Sequence, residues 1–91
     1  MRAAITPEQI LAGITGSDHA ALILRRICAS NPRPVTRKVL MEGAGISVER
    51  EGPRSAYAAF YWYVERVNDE LRRLGWRVAD HGGDHFFLMR N

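Results

Sequence analysis

Apolar residues recur at three- and four-residue steps over most of the chain and change to alternation only near its end. The clearest stripe is Tyr57, Phe60, Val64, Val67, Leu71 and Leu74. It predicts a long amphipathic helix over 55–74, opened at Ser55 and closed by Gly75. The run Ala20, Ala21, Leu22, Ile23, Leu24, Ile27, Cys28 also has one broad apolar face. Ser17-Asp18 starts that helix and Asn31-Pro32 stops it, which predicts 18–30. Upstream, Thr6 caps, Pro7 suits the first helical position and Gln9 completes a capping box, so a short helix is predicted over 7–12. Pro32 to Val35 reads as extended. Thr36 then caps a helix over 37–42 with Val39 and Leu40 inward. Residues 43–54 hold three glycines and Pro53 among charged residues and read as a loop about twelve residues long. A loop of that length in a compact domain is often functional.

The alternating part predicts a hairpin, with strands over about 76–80 and 84–89 around Gly82-Gly83. A two-residue turn puts Val78 opposite Phe87. A three-residue turn, His81-Gly82-Gly83 with Gly83 left-handed, puts Val78 opposite Phe86. The second is preferred, because it gathers Trp76, Val78, Phe86 and Leu88 on one face. The prediction is therefore a mainly α fold with a small β-hairpin.

Ninety-one residues make one domain. A chain of this size buries about 60–65% of its unfolded surface, enough for one modest core. With 46% hydrophobic and 25% charged residues, the balance is that of a globular chain and not a disordered one. No apolar run has the length of a membrane span, and no leader is read at the N-terminus, so the expected compartment is cytoplasmic and no membrane partner is expected. The single Cys28 excludes an internal disulfide and a cysteine-rich zinc site, and it reads as a small buried hydrophobe.

The net charge of +3 sits in the middle of the chain. Residues 25–54 carry seven arginines and lysines against three glutamates, whereas residues 55–91 carry five against five. A basic segment is the footprint of phosphate binding, and equally of an ordinary solvated face.

Order and spacing also carry a resemblance to a known family. Ile14-Thr15-x-Ser17-Asp18 resembles the Leu-Thr-x-Thr-Glu opening of the DNA-binding domain of OmpR/PhoB-type response regulators. Val35-Thr36-Arg37-x-x-Leu40 resembles that family's second helix, and Phe60, Val64, Val67 and Leu71 match the spacing of its recognition helix. Gly75-Trp76-Arg77-Val78 and Gly83-Asp84-His85-Phe86-Phe87-Leu88 resemble its wing. The resemblance covers residues 14–88 and takes the form of a stand-alone domain without a receiver. It implies a winged helix-turn-helix core over 14–89 behind the short leading helix of 1–13. The chain departs from the family in three places. Residues 1–13 are too few for the family's leading sheet. Asp84 stands where the wing has an arginine. Tyr61-Trp62-Tyr63 stands where the recognition helix has smaller or more polar residues.

What the resemblance implies is sequence-specific binding of double-stranded DNA by a small transcription regulator. Helix 55–74 would enter the major groove with Arg66 reading guanine and Tyr61, Trp62 and Tyr63 meeting thymine methyls and phosphates. Thr36, Arg37 and Lys38, at the start of helix 37–42, would hold phosphate, with Arg33 and Arg54 extending the track. Glu65, Asp69 and Asp84 oppose it.

Helical geometry, at about 100° per residue, puts Trp62, Arg66, Asp69 and Arg73 opposite the Phe60 stripe. Trp62 and Arg66 are four apart and can stack. Trp62 either packs on the leading helix or the 43–54 loop, or forms a contact surface. A protein-interaction module is thus the alternative. It would use the Trp62, Tyr61 and Tyr63 face to grip RNA polymerase, another regulator or a second copy as a homodimer. His81, Asp84 and His85 lie on a turn and lack the second ligand pair of a structural zinc. No metal, cofactor or catalytic residue is predicted, because no nucleophile–base arrangement or phosphate loop is visible.

Overall fold

The computed structural model describes residues 5–91. The capping box at Thr6 and Gln9 opens α1, Pro7–Gly13. The Asp18 carboxylate accepts from the Ala21 amide and opens α2, His19–Ser30. These two helices, the elements predicted from caps, stand within a residue or so of the expected bounds.

After α2 the chain runs into β1, Val35–Thr36, and then α3, Arg37–Gly43, which is capped by the Thr36 hydroxyl. The predicted 43–54 loop is not a plain loop. It contains a one-turn helix α4, Val48–Glu51. Ser47 explains it: its hydroxyl accepts from the Arg50 amide, and Glu51 reaches back to the Ser47 amide, both at 3.2 Å. Gly52, at φ +83°, ends α4 and turns the chain into α5, Pro53–Arg72. α5 starts two residues before Ser55 because Pro53 is preset for the first helical turn. It also closes two residues early, through bonds from Leu74 to Leu71 and from Gly75 to Arg72. Leu74, expected in the core stripe, therefore lies past the helix and is 37% exposed. Val39 is a second correction. It is 36% exposed, and Leu40 and Met41 take the inward positions of α3.

The predicted hairpin is β2, Trp76–His81, with β3, His85–Arg90. The sheet is larger than predicted. β1 pairs antiparallel with β3, Val35 opposite Phe86, which gives three strands in the order β1-β3-β2. The β2–β3 turn has the three residues expected, but they are Gly82-Gly83-Asp84, closed by His81 opposite His85. Val78 therefore faces Leu88 and not Phe86. A two-residue shift preserves the pleat, so Trp76, Val78, Phe86 and Leu88 are still buried together.

The result is a mostly helical domain with a small antiparallel sheet. Among the described residues its buried side chains form one cluster. Phe60 is fully buried at the centre and meets Phe86 edge-on, ring centroids 5.3 Å apart. Ile23 and Ile27 of α2, Leu40 of α3, and Val67 and Leu71 of α5 close around it. No helix among the described residues is long and apolar enough to cross a membrane.

Asn68, not singled out by pattern, joins helix to sheet. Its carbonyl accepts from the Val78 amide at 2.6 Å, and its amide group reaches the Val78 carbonyl at 3.5 Å. The outer edge of β2 is thus partnered from α5 at mid-strand. Asn68→Ala leaves that half-buried peptide unpaired. It is expected to cost about 1–3 kcal/mol of stability, read as a lower midpoint in urea unfolding with unchanged slope.

Candidate functional site

One face of the molecule collects the start of α3, the first half of α5 and the β2–β3 turn. Arg37 is its centre. The Arg37 guanidinium lies 4.3 Å over the Tyr57 ring and donates to the Tyr61 hydroxyl at 3.1 Å. That hydroxyl in turn donates to the Gly83 carbonyl in the turn at 3.3 Å. The Arg37 amide donates to the Asp84 carbonyl at 2.8 Å. Three elements therefore meet at one residue, through its guanidinium and its backbone amide. The Tyr61 bond is the main reason the guanidinium is held even more firmly in its charged form than usual.

The first amides of α3 are not all open to phosphate. The Arg37 amide is taken by Asp84, and the Val39 amide by the Thr36 hydroxyl. What the face presents is side-chain charge: Arg37 half-exposed, with Lys38 exposed beside it. A groove of about 810 Å³ runs between α3, α4 and the turn and adds Arg50, against Glu42, Glu49 and Asp84. The Asp84 carboxylate is hydrogen-bonded to the neighbouring His85 imidazole at 2.8 Å. Sequence reading missed Tyr57 as a platform and Arg50 as a third cation. The Ser47-to-Glu51 cap was the signal that would have placed Arg50 on a helix turn.

The remaining predicted residues divide. Arg33 is exposed in the segment leading to β1, and Arg54 is exposed in the first turn of α5. Trp62 stands on the crest of α5 at 54% exposure, with the Arg66 guanidinium 5.0 Å over its ring. The expected stacking is present, and Trp62 does not pack into α1 or the 43–54 segment as a buried side chain. Tyr63, expected beside it on an outer surface, is half-buried against the core, its ring 4.9 Å from that of His19. His19, isolated in the sequence, also bonds the Ala44 carbonyl and ties the start of α2 to the end of α3. Arg66 lines a different groove, between α1, α2 and α5. Arg66 and Arg37 therefore belong to opposite flanks of α5 and do not form one continuous surface. The reason is rotational: Tyr61 and Arg66 differ by five residues, about 140° around the helix.

Among the described residues, no three His, Cys, Asp or Glu side chains converge on a metal position. Cys28 is buried, as the pattern implied. Comparison with protein-family models, curated proteins and solved structures gives no match.

Burial pushes the Cys28 thiol up to about 11, with the Glu8 charge adding a smaller push. The unfolded thiol loses its proton at lower pH than the folded one. This contribution to stability is thus intact below the unfolded value and falls away as pH rises towards 11. In the native protein, Cys28 is expected to react with a disulfide reagent far more slowly than a free thiol at mildly alkaline pH. Its rate is expected to reach the free value once urea unfolds the chain.

Proposed function

We propose that the chain is a winged helix-turn-helix protein that binds double-stranded DNA, a small regulator of the OmpR/PhoB-like kind. In this reading α2, α3 and α5 are the three core helices, β1 is the strand between the first and second, and β2 with β3 is the wing. The strand order β1-β3-β2 and the order of elements support it. The observation that carries the reading is the Arg37 junction. The start of the second helix, the outer side of the third and the wing turn meet on one cationic face through Tyr61 and Gly83.

Such a face binds a duplex in two ways. Arg37 and Lys38 neutralise phosphates, with Arg33 and Arg54 on either side, and the Thr36 hydroxyl hydrogen is free to join them. The N-terminal half of α5 approaches base edges in the major groove. Arg54, on the same flank as Tyr61, takes over from Arg66 as the side chain placed to bond guanine. The two left-handed glycines Gly82 and Gly83, with no side chains, keep the wing tip slim enough to approach the backbone.

The test is fluorescence anisotropy on duplexes enriched from a random pool, over a salt series. Affinity is expected to fall steeply with salt, with a log–log slope of about 0.9 per neutralised phosphate. Arg37→Ala is expected to weaken binding to all duplexes alike and to flatten the slope by about one. Arg54→Ala is expected to reduce the preference between sequences. Absence of salt-sensitive binding to any duplex overturns the reading.

A further inference from the structure

The other flank of α5 carries a knob beside a hole. The knob is Trp62. Its indole is exposed, yet it is braced by the Arg66 guanidinium at 5.0 Å and by the Tyr63 ring edge-on at 5.2 Å. A side chain already held in place loses little freedom on binding. The hole is the groove of about 560 Å³ between α1, α2 and α5. It starts at Arg66, the next helical turn after Trp62, and continues past Glu70 to Leu74. Ile14 and Leu74 contribute apolar surface to it, and Glu70 and Asp18, the cap of α2, are among its lining residues.

The charges indicate what fits. The knob brings a cation, Arg66, with its aromatic ring. The hole offers apolar surface with two acids, Asp18 and Glu70, and has Arg66 at the end nearest the knob. No excess of positive charge draws phosphate here, because exposed Glu65, Asp69 and Glu70 match exposed Arg66, Arg72 and Arg73 on the same half of the helix, with Asp69 paired to Arg72 at 3.4 Å. The complement required is an aromatic group accompanied by a positive charge, and the chain itself displays that combination next to its own groove. A patch holding both a knob and its matching hole is self-complementary under a twofold axis.

We propose that two copies of the chain associate through this flank, with Trp62 of each copy seated in the α1–α2–α5 groove of the other and Arg66 of each facing Glu70 and Asp18 of the other. An aromatic side chain buries about 150–250 Å², so two reciprocal knobs are the centre of a small interface and the association is concentration-dependent. The start of α3 and the β2–β3 turn stay uncovered. The inference stands apart from the DNA reading and is tested without nucleic acid.

Sedimentation velocity over a wide concentration range is the experiment, with far-UV circular dichroism confirming that each variant is folded. Wild type is expected to pass from monomer to dimer. Trp62→Ala is expected to raise the dissociation constant at least tenfold. Arg66→Glu and Glu70→Arg are each expected to be monomeric alone, since like charges then meet across the interface. Mixed in equal amounts they are expected to form dimers, because each contact regains an opposite pair. A wild type that stays monomeric throughout overturns the proposal. So does a dimer indifferent to Trp62→Ala, or a mixture that stays as monomeric as its parts.

Discussion

The seating of α5 against the sheet governs where every exposed residue of interest ends up. Two contacts set it, one apolar and one polar. Phe60 packs edge-on to Phe86, and Asn68 holds the Val78 peptide two turns further along. The first fixes depth and the second fixes rotation and slide, since a side-chain amide tolerates little misalignment with a peptide. With α5 so held, Tyr61 must face the β2–β3 turn, Trp62 must stand proud, and Arg66 must face α1 and α2. Aromatic burial alone would permit a looser range of angles.

Much of this was legible along the chain. The stripe from Phe60 to Leu71 is a strong periodic signal, and the caps at Thr6, Asp18 and Thr36 are local chemistry that each helix satisfies within its own first turn. The exposed Trp62–Arg66 stack followed from the same periodicity. Hairpin face was also readable, because alternation determines it, whereas register was not. Shifting the turn from 81–83 to 82–84 leaves every apolar residue on the same side, so hydrophobic pattern cannot choose between them.

Other features depended on distant partners. β1 is two residues long and has no pattern of its own; it is a strand only because β3 lies beside it. Asn68 and Tyr57 have functions that exist only once α5 lies against β2 and α3. The division of Tyr61 from Arg66 was implicit in the helical angle. What the angle could not tell is which neighbour stands on each side. Even so, helical angle and burial together turn one expected surface into two, the first mostly cationic and hydroxyl-bearing, the second aromatic with mixed charge.

The strand order has a consequence for how the chain acquires its shape. β1 and β2 never touch; each is paired only with β3, which lies between them and comes after both in the chain. During vectorial synthesis the helices can form and gather as they emerge, but two strand segments wait without a strand partner until residues 85–90 have left the ribosome. The sheet, and with it the junction at Arg37, is therefore assembled in a single late event.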